Sequence, residues 1–85
     1  MDYKIELAET VEMMKSADYK DRFLAEYHQL LTRYVKLVNM VDAWDKGELN
    51  FNPTCPRPIY DFQLRVMKDY LGILEIRAKI EGIEI

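Results

Sequence analysis

A chain of 85 residues makes one small domain, and at this size it covers only roughly 60–65% of the surface its unfolded form exposes. With 49% hydrophobic residues, 32% charged residues and a net charge of −3, it lacks the basic balance a nucleic-acid polymer selects, and no apolar run is long enough to span a membrane. One cysteine, Cys55, and one histidine, His28, exclude a disulfide framework and a structural zinc site, so association with copies of itself or a partner is the remaining way to extend the core.

The first fifteen residues are weakly amphipathic. Tyr3, Leu7, Val11 and Met14 can share a face, and Thr10 is placed to cap a short helix over residues 10–15. Ser16-Ala17-Asp18 breaks that pattern, and Ser16 or Asp18 is the natural N-cap of a long helix over 18–46. Steps of four and three along that helix give Phe23, Tyr27, Leu30, Tyr34, Leu37, Val41 and Trp44, a seam that faces a partner helix, with Leu24, Leu31 and Val38 beside it. Ala25, Gln29, Thr32, Lys36 and Asn39 fill the opposite face, which reads as solvated. Gly47 supplies the left-handed stop.

Residues 48–57, ELNFNPTCPR, form the one long connection. It reads as a plug in which Leu49 and Phe51 fold back over Trp44, or else as one wall of a binding site. Pro56 or Pro58 opens the last helix, over 57–81, and Gly82 ends it before the tail Ile83-Glu84-Ile85. That helix carries two stripes. One is Ile59, Phe62, Val66, Tyr70, Ile73, Ile76 and Ile80; the other is Tyr60, Leu64, Met67, Leu71, Leu74 and Ala78. Together they span about 240° of the circumference, far more than the ~100° of an ordinary surface helix. A hairpin of two helices leaves the second stripe uncovered, so the expected fold is all-α: an antiparallel two-helix hairpin with a short N-terminal helix, assembled as a homo-oligomeric bundle.

No catalytic constellation stands out. His28 has no serine or cysteine at a matching helical step, Cys55 has no adjacent base, and there is no glycine-rich phosphate loop. The chain reads as a non-enzymatic protein without cofactor or metal. Two features point beyond packing. There are six tyrosines, with Tyr27 and Tyr34 inside the seam and Tyr60 and Tyr70 on the last helix; their hydroxyls reach solvent at the rim of the bundle, or their rings open to a pocket where a base can stack. Arg77 projects into the apolar arc of the last helix, where a guanidinium needs an acidic partner such as Asp69 or Glu81 of a neighbouring copy, or a bound anion. Arg33 at the edge of the seam, with Lys36 or Arg65, can join it.

The segments DYKDRFLAEYHQLLTRYVKL and WDKGELNFNPTCPRPIYDFQLRVMKDYLGILEIRAKIEGI resemble a group of small phage and prophage helical-hairpin proteins, relatives of a crAss-phage small protein, over roughly residues 10–85. The DYKDRF–AEY opening, the NPTCP loop and MKDYLGILEIRA are the specific parts. In size, helical content and expected oligomerisation the chain also resembles the phage sponges that sequester nucleotide signals of the CBASS and Thoeris defences. It lacks the signature of the best-known cyclic-dinucleotide sponge, so no binding residue is carried over. The resemblance implies a phage protein in the cytoplasm of the infected bacterium, capturing an ADP-ribose derivative or cyclic dinucleotide at a subunit interface. On the residue reading, the ligand residues would be Arg77, Tyr27, Tyr34, Arg33 and Tyr70. The alternative is a coiled-coil interaction module or adaptor with no small-molecule ligand.

Overall fold

The structure, a computed structural model, describes residues 2–85. The described residues are helical or irregular, with no strand: a 3₁₀ turn over Leu7–Thr10 leads into α1 (Val11–Lys15), then α2 (Tyr19–Asp45) and α3 (Arg57–Glu81). α2 and α3 form an antiparallel hairpin, and the N-terminal segment packs across α2.

Local chemistry sets each boundary. The Asp18 side chain accepts a hydrogen bond from the Lys20 N–H, at 2.9 Å, and so caps α2. Ser16 supports that cap: its hydroxyl donates to Asp21 and accepts from the Asp18 N–H. At the far end Gly47 takes φ 70°, and the Glu48 and Gly47 amides return to the Ala43 and Trp44 carbonyls, which is a Schellman closure. α3 starts after Pro56, with Pro58 in its first turn, where a missing N–H costs nothing.

The core runs along the hairpin: Phe23, Tyr27, Leu31 and Val35 of α2 meet Leu71, Leu74 and Ala78 of α3. Leu74 has no exposed surface. Ile83, expected in a free tail, belongs to this core. Gly82 at φ 72° turns the chain, the Ile83 amide donates to the Ala78 carbonyl, and the side chain folds back onto Phe23 and its neighbours.

The opposite face of α2 is not solvated as its composition suggested. Ala25 and Thr32 are fully buried because the N-terminal segment lies on them. The Thr32 hydroxyl donates to the Ile5 carbonyl at 2.7 Å, and the Gln29 amide donates to the Thr10 hydroxyl at 2.8 Å. Thr10 therefore makes no capping bond. Its hydroxyl donates to the Leu7 carbonyl and its side chain is sealed against α2, while Val11 and Met14 stay exposed. Small and hydroxylated side chains allow this close approach, and pairing each hydroxyl keeps it inexpensive.

The stripe of α3 that starts at Ile59 is bare, while Leu71, Leu74 and Ala78 of the other stripe are buried. Ile59, Phe62, Val66, Ile73, Ile76 and Ile80 are each between 47% and 78% exposed. The chain is correspondingly long, 43 × 24 × 19 Å with a radius of gyration of 14.8 Å, against about 12 Å for a compact domain of this length.

Candidate functional site

Five residues were expected to gather around a ligand, and one chain divides them. Tyr27 is buried in the core, its ring edge-on to His28 at 5.3 Å, and its hydroxyl points to Glu75 across the seam at 3.4 Å. Burial first, and then the Glu75 charge, push its ionisation above the usual tyrosine value. Tyr34 is half-buried against the same core. Tyr70 is anchored elsewhere: its hydroxyl donates to the Glu26 carboxylate. Tyr70 and Glu75 stand about 140° apart around α3 at 3.6 residues per turn, so the Tyr27–Glu75 and Tyr70–Glu26 bonds join α2 to α3 along opposite flanks of α3.

Arg77 shares the Tyr70 side, and its charge is answered within the chain. Nε lies 3.3 Å from Glu81, an Nη atom donates to the Tyr19 hydroxyl at 2.8 Å, and the guanidinium sits 5.1 Å over the Phe23 ring. Tyr19 in turn donates to Glu81. The expected partner in a neighbouring copy is thus present one turn along the same helix, with a stacking ring beneath.

Arg33 lies farther along α2, exposed and without an ion-pair partner among the described residues. It opens onto a groove of about 400 Å³ between α2 and α3, lined by Arg33, Lys36, Leu37, Met40, Gln63 and Met67. The floor is Leu and Met, the rim is cationic, and Gln63 offers an amide. Lys36 also reaches Glu6 at 3.1 Å. The arrangement suits a ligand with a flat apolar part and a negative group. Lys36 and Arg33 were visible in the sequence. Leu37, Met40, Gln63 and Met67 were not read as site residues, although the i, i+3, i+4, i+7 run Arg33–Lys36–Leu37–Met40 marks one flank of α2 and was the available signal.

Two other hollows lie at the ends. At the turn, Trp44, Leu49, Phe51 and Pro53 border a shallow space of about 170 Å³. Leu49 folds back as expected, but Phe51 is 53% exposed. Arg57, which the sequence did not single out, covers Trp44 instead: it lies 5.3 Å over the indole and joins Asp45 by two bonds, 2.6 and 3.2 Å, and Asp61 at 2.9 Å. These carboxylates hold its guanidinium charged well beyond the ordinary range. The hollow at the other end is bordered by Asp18, Asp21 and Glu84 with a single lysine, Lys20, a poor setting for an anion.

His28 is half-buried, and its Nδ1 has no hydrogen-bond partner among the described residues. Burial, and secondarily Lys4, lower its pKa from 6.5. Cys55 is exposed in the loop. Among the described residues no group of three or more His, Cys, Asp or Glu is arranged to hold a metal ion, and no helix is long and apolar enough to cross a membrane.

The Sequestin family model matches residues 17–80, from the cap of α2 to the last turn of α3. No curated protein and no solved structure matches the chain.

Proposed function

The chain belongs to the Sequestin family, which is a sequestering and not a catalytic description, and from that premise we propose that it is a phage protein that captures a nucleotide signal of bacterial immunity. The ligand class is an ADP-ribose derivative or a cyclic dinucleotide, held without turnover at a junction between copies in the cytoplasm of the infected cell. Removing the signal from solution would leave the defence effector inactive. The observation that carries this reading is the family match over residues 17–80. The groove beside Arg33 supports it with the right chemistry: a guanidinium and an ammonium for phosphate, and Leu37, Met40 and Met67 for a base. Tyr70 and Arg77 sit on the same side of the hairpin; Tyr27 is buried in the core and Tyr34 packs half-buried against it.

Calorimetry and thermal shift against a panel of ADP-ribose derivatives and cyclic dinucleotides test the proposal. Binding of one of them, weakened at least tenfold by Arg33→Ala with the fold retained, is the expected result. An absence of heat and of thermal shift across the panel overturns it for these ligands. The bare stripe of α3 favours a second reading, an adaptor whose apolar face docks a protein. That reading expects a chain that associates poorly alone and becomes well defined only with its partner.

A further inference from the structure

Lys36 is engaged from two sides. Its side chain lines the groove beside Arg33, and its ammonium also donates to the Glu6 carboxylate at 3.1 Å. We infer that Glu6 is the built-in counter-ion of that groove: in the free protein it holds the ammonium that an anion spanning Arg33 and Lys36 must take over, and so it limits how tightly such an anion is bound. The ligand class is an anion with two adjacent charged groups, such as a diphosphate. That the groove takes an anion rests on the function proposed above.

The backbone brings Glu6 to Lys36. The Thr32 hydroxyl donates to the Ile5 carbonyl at 2.7 Å, which pins the N-terminal segment to α2 one helical turn before Lys36. Glu6 is the next residue, and it arrives beside the Lys36 ammonium. Its main chain is held too, because the Glu6 carbonyl accepts the Glu9 N–H at 3.0 Å where the 3₁₀ turn begins. The two carboxylate oxygens are divided: the Tyr3 hydroxyl donates to one at 2.8 Å and Lys36 to the other. The Tyr3 ring lies 5.7 Å from the same ammonium, a second hold on it. The bonds from Tyr3 and Lys36 keep the Glu6 carboxyl below its ordinary range, and the bond to Glu6 keeps the Lys36 ammonium above its own. Tyr3 and Glu6 lie outside the matched residues 17–80, whereas Arg33 and Lys36 lie within them.

Arg33, one turn back on the same flank of α2, has no ion-pair partner among the described residues. The two cations of the groove therefore differ: one is free and the other is answered. An ammonium has three donors, so Glu6 does not close Lys36 to a ligand. Two anions on one ammonium repel, however, and the incoming group must displace the carboxylate or bear that repulsion. In both cases Glu6 lowers the affinity. Displacement is easy because the Lys36 and Glu6 side chains are 51% and 52% exposed, where an ion pair is weak and water receives the released carboxylate. A ligand anchored on Arg33 presents its second charged group to Lys36 at high effective concentration, which matches the tethered carboxylate. A lone charged group has no such advantage.

Calorimetry with inorganic pyrophosphate tests the assignment. Glu6→Gln should tighten pyrophosphate binding about two- to fivefold, the range open to an exposed ion pair, with the far-UV circular dichroism unchanged. Glu9→Gln alters the net charge equally, and Glu9 has no ion-pair partner among the described residues, so it should leave the affinity as it is. Lys36→Met should weaken binding, and Glu6→Gln added to Lys36→Met should change nothing further. The carboxyl carbon-13 resonance of Glu6 should shift as pyrophosphate saturates the protein. An affinity unchanged or lowered by Glu6→Gln overturns the inference, as does an equal gain from Glu9→Gln, a gain that persists without Lys36, a Glu6 resonance that stays still, or no pyrophosphate binding at all. If a nucleotide of the panel binds and is weakened by Arg33→Ala but not altered by Glu6→Gln, the proposed function stands and this inference falls. If pyrophosphate follows the expected pattern while no nucleotide binds, the proposed function falls and the counter-ion stands.

Discussion

Arg57 closes the molecule at the turn. One guanidinium joins Asp45 at the end of α2, Asp61 in the first turns of α3, and the face of Trp44. Trp44 is the single tryptophan, so its fluorescence reports on this contact. Arg57→Ala should shift the emission to the red and speed proteolysis within residues 46–56, while far-UV circular dichroism keeps its helical amplitude. His28 makes a different prediction. Its pKa in the folded chain lies below 6.5, chiefly through burial, so below that pH the unfolded chain binds more protons than the folded one. The contribution of His28 to stability is complete above pH 6.5 and is lost as the pH falls through the folded value. Urea midpoints should therefore decline between pH 7.5 and 5, and His28→Gln should flatten that decline. The carboxylates of Glu6 and Asp45, whose pKa values are lowered by Tyr3 and Arg57 respectively, act only in a more acid range and do not mimic it.

Among the helices, α2 is the element that everything else touches. One face meets α3, and the face behind it accepts the N-terminal segment through Thr32 and Gln29. Thr32→Val keeps the shape but strands the Ile5 carbonyl, and should cost about 1–2 kcal/mol in urea unfolding. A loss below a few tenths would mean the segment adds nothing to the fold. α3 ends through backbone conformation: a Cβ at Gly82 would touch nothing within 4 Å, so Gly82→Ala is strained only through its φ of 72°. Roughly 1–2 kcal/mol is expected from that strain, accompanied by loosening of Ile83, since the left-handed residue is what returns Ile83 to the core.

Taken whole, the molecule is a hairpin too thin to shelter both sides of α3. The chain is 43 Å long and leaves an apolar stripe of α3 bare, and the junction between copies proposed above would add to its stability. Its thermal midpoint should therefore rise with protein concentration, as mass action requires when the folded state is the associating one. A midpoint that does not move between 1 and 100 μM would mark the hairpin as self-sufficient. The groove beside Arg33 belongs to the same level of description, because its lining comes from both α2 and α3.

The helices, their caps and their stops could be read from residues close together in the chain. Asp18 before α2, Gly47 and Gly82 after the helices and proline in the first turn of α3 act over four or five residues, and apolar spacing marks which faces need cover. Spacing does not identify what covers them. The Ala25–Thr32 face looked wet because small and hydroxylated residues pass for surface until a segment 19 to 27 residues away pairs with them. Arg77 was read as needing an acid from a neighbouring copy, but Glu81 four residues on answers it within the chain, and Tyr19, 58 residues earlier, is brought to it by the hairpin. The candidate site was legible in part for the same reason: Arg33 stood out at the edge of the α2 seam and Arg77 within the apolar arc of α3, but the groove joins α2 to α3, and contacts between distant stretches leave no periodic trace in either one.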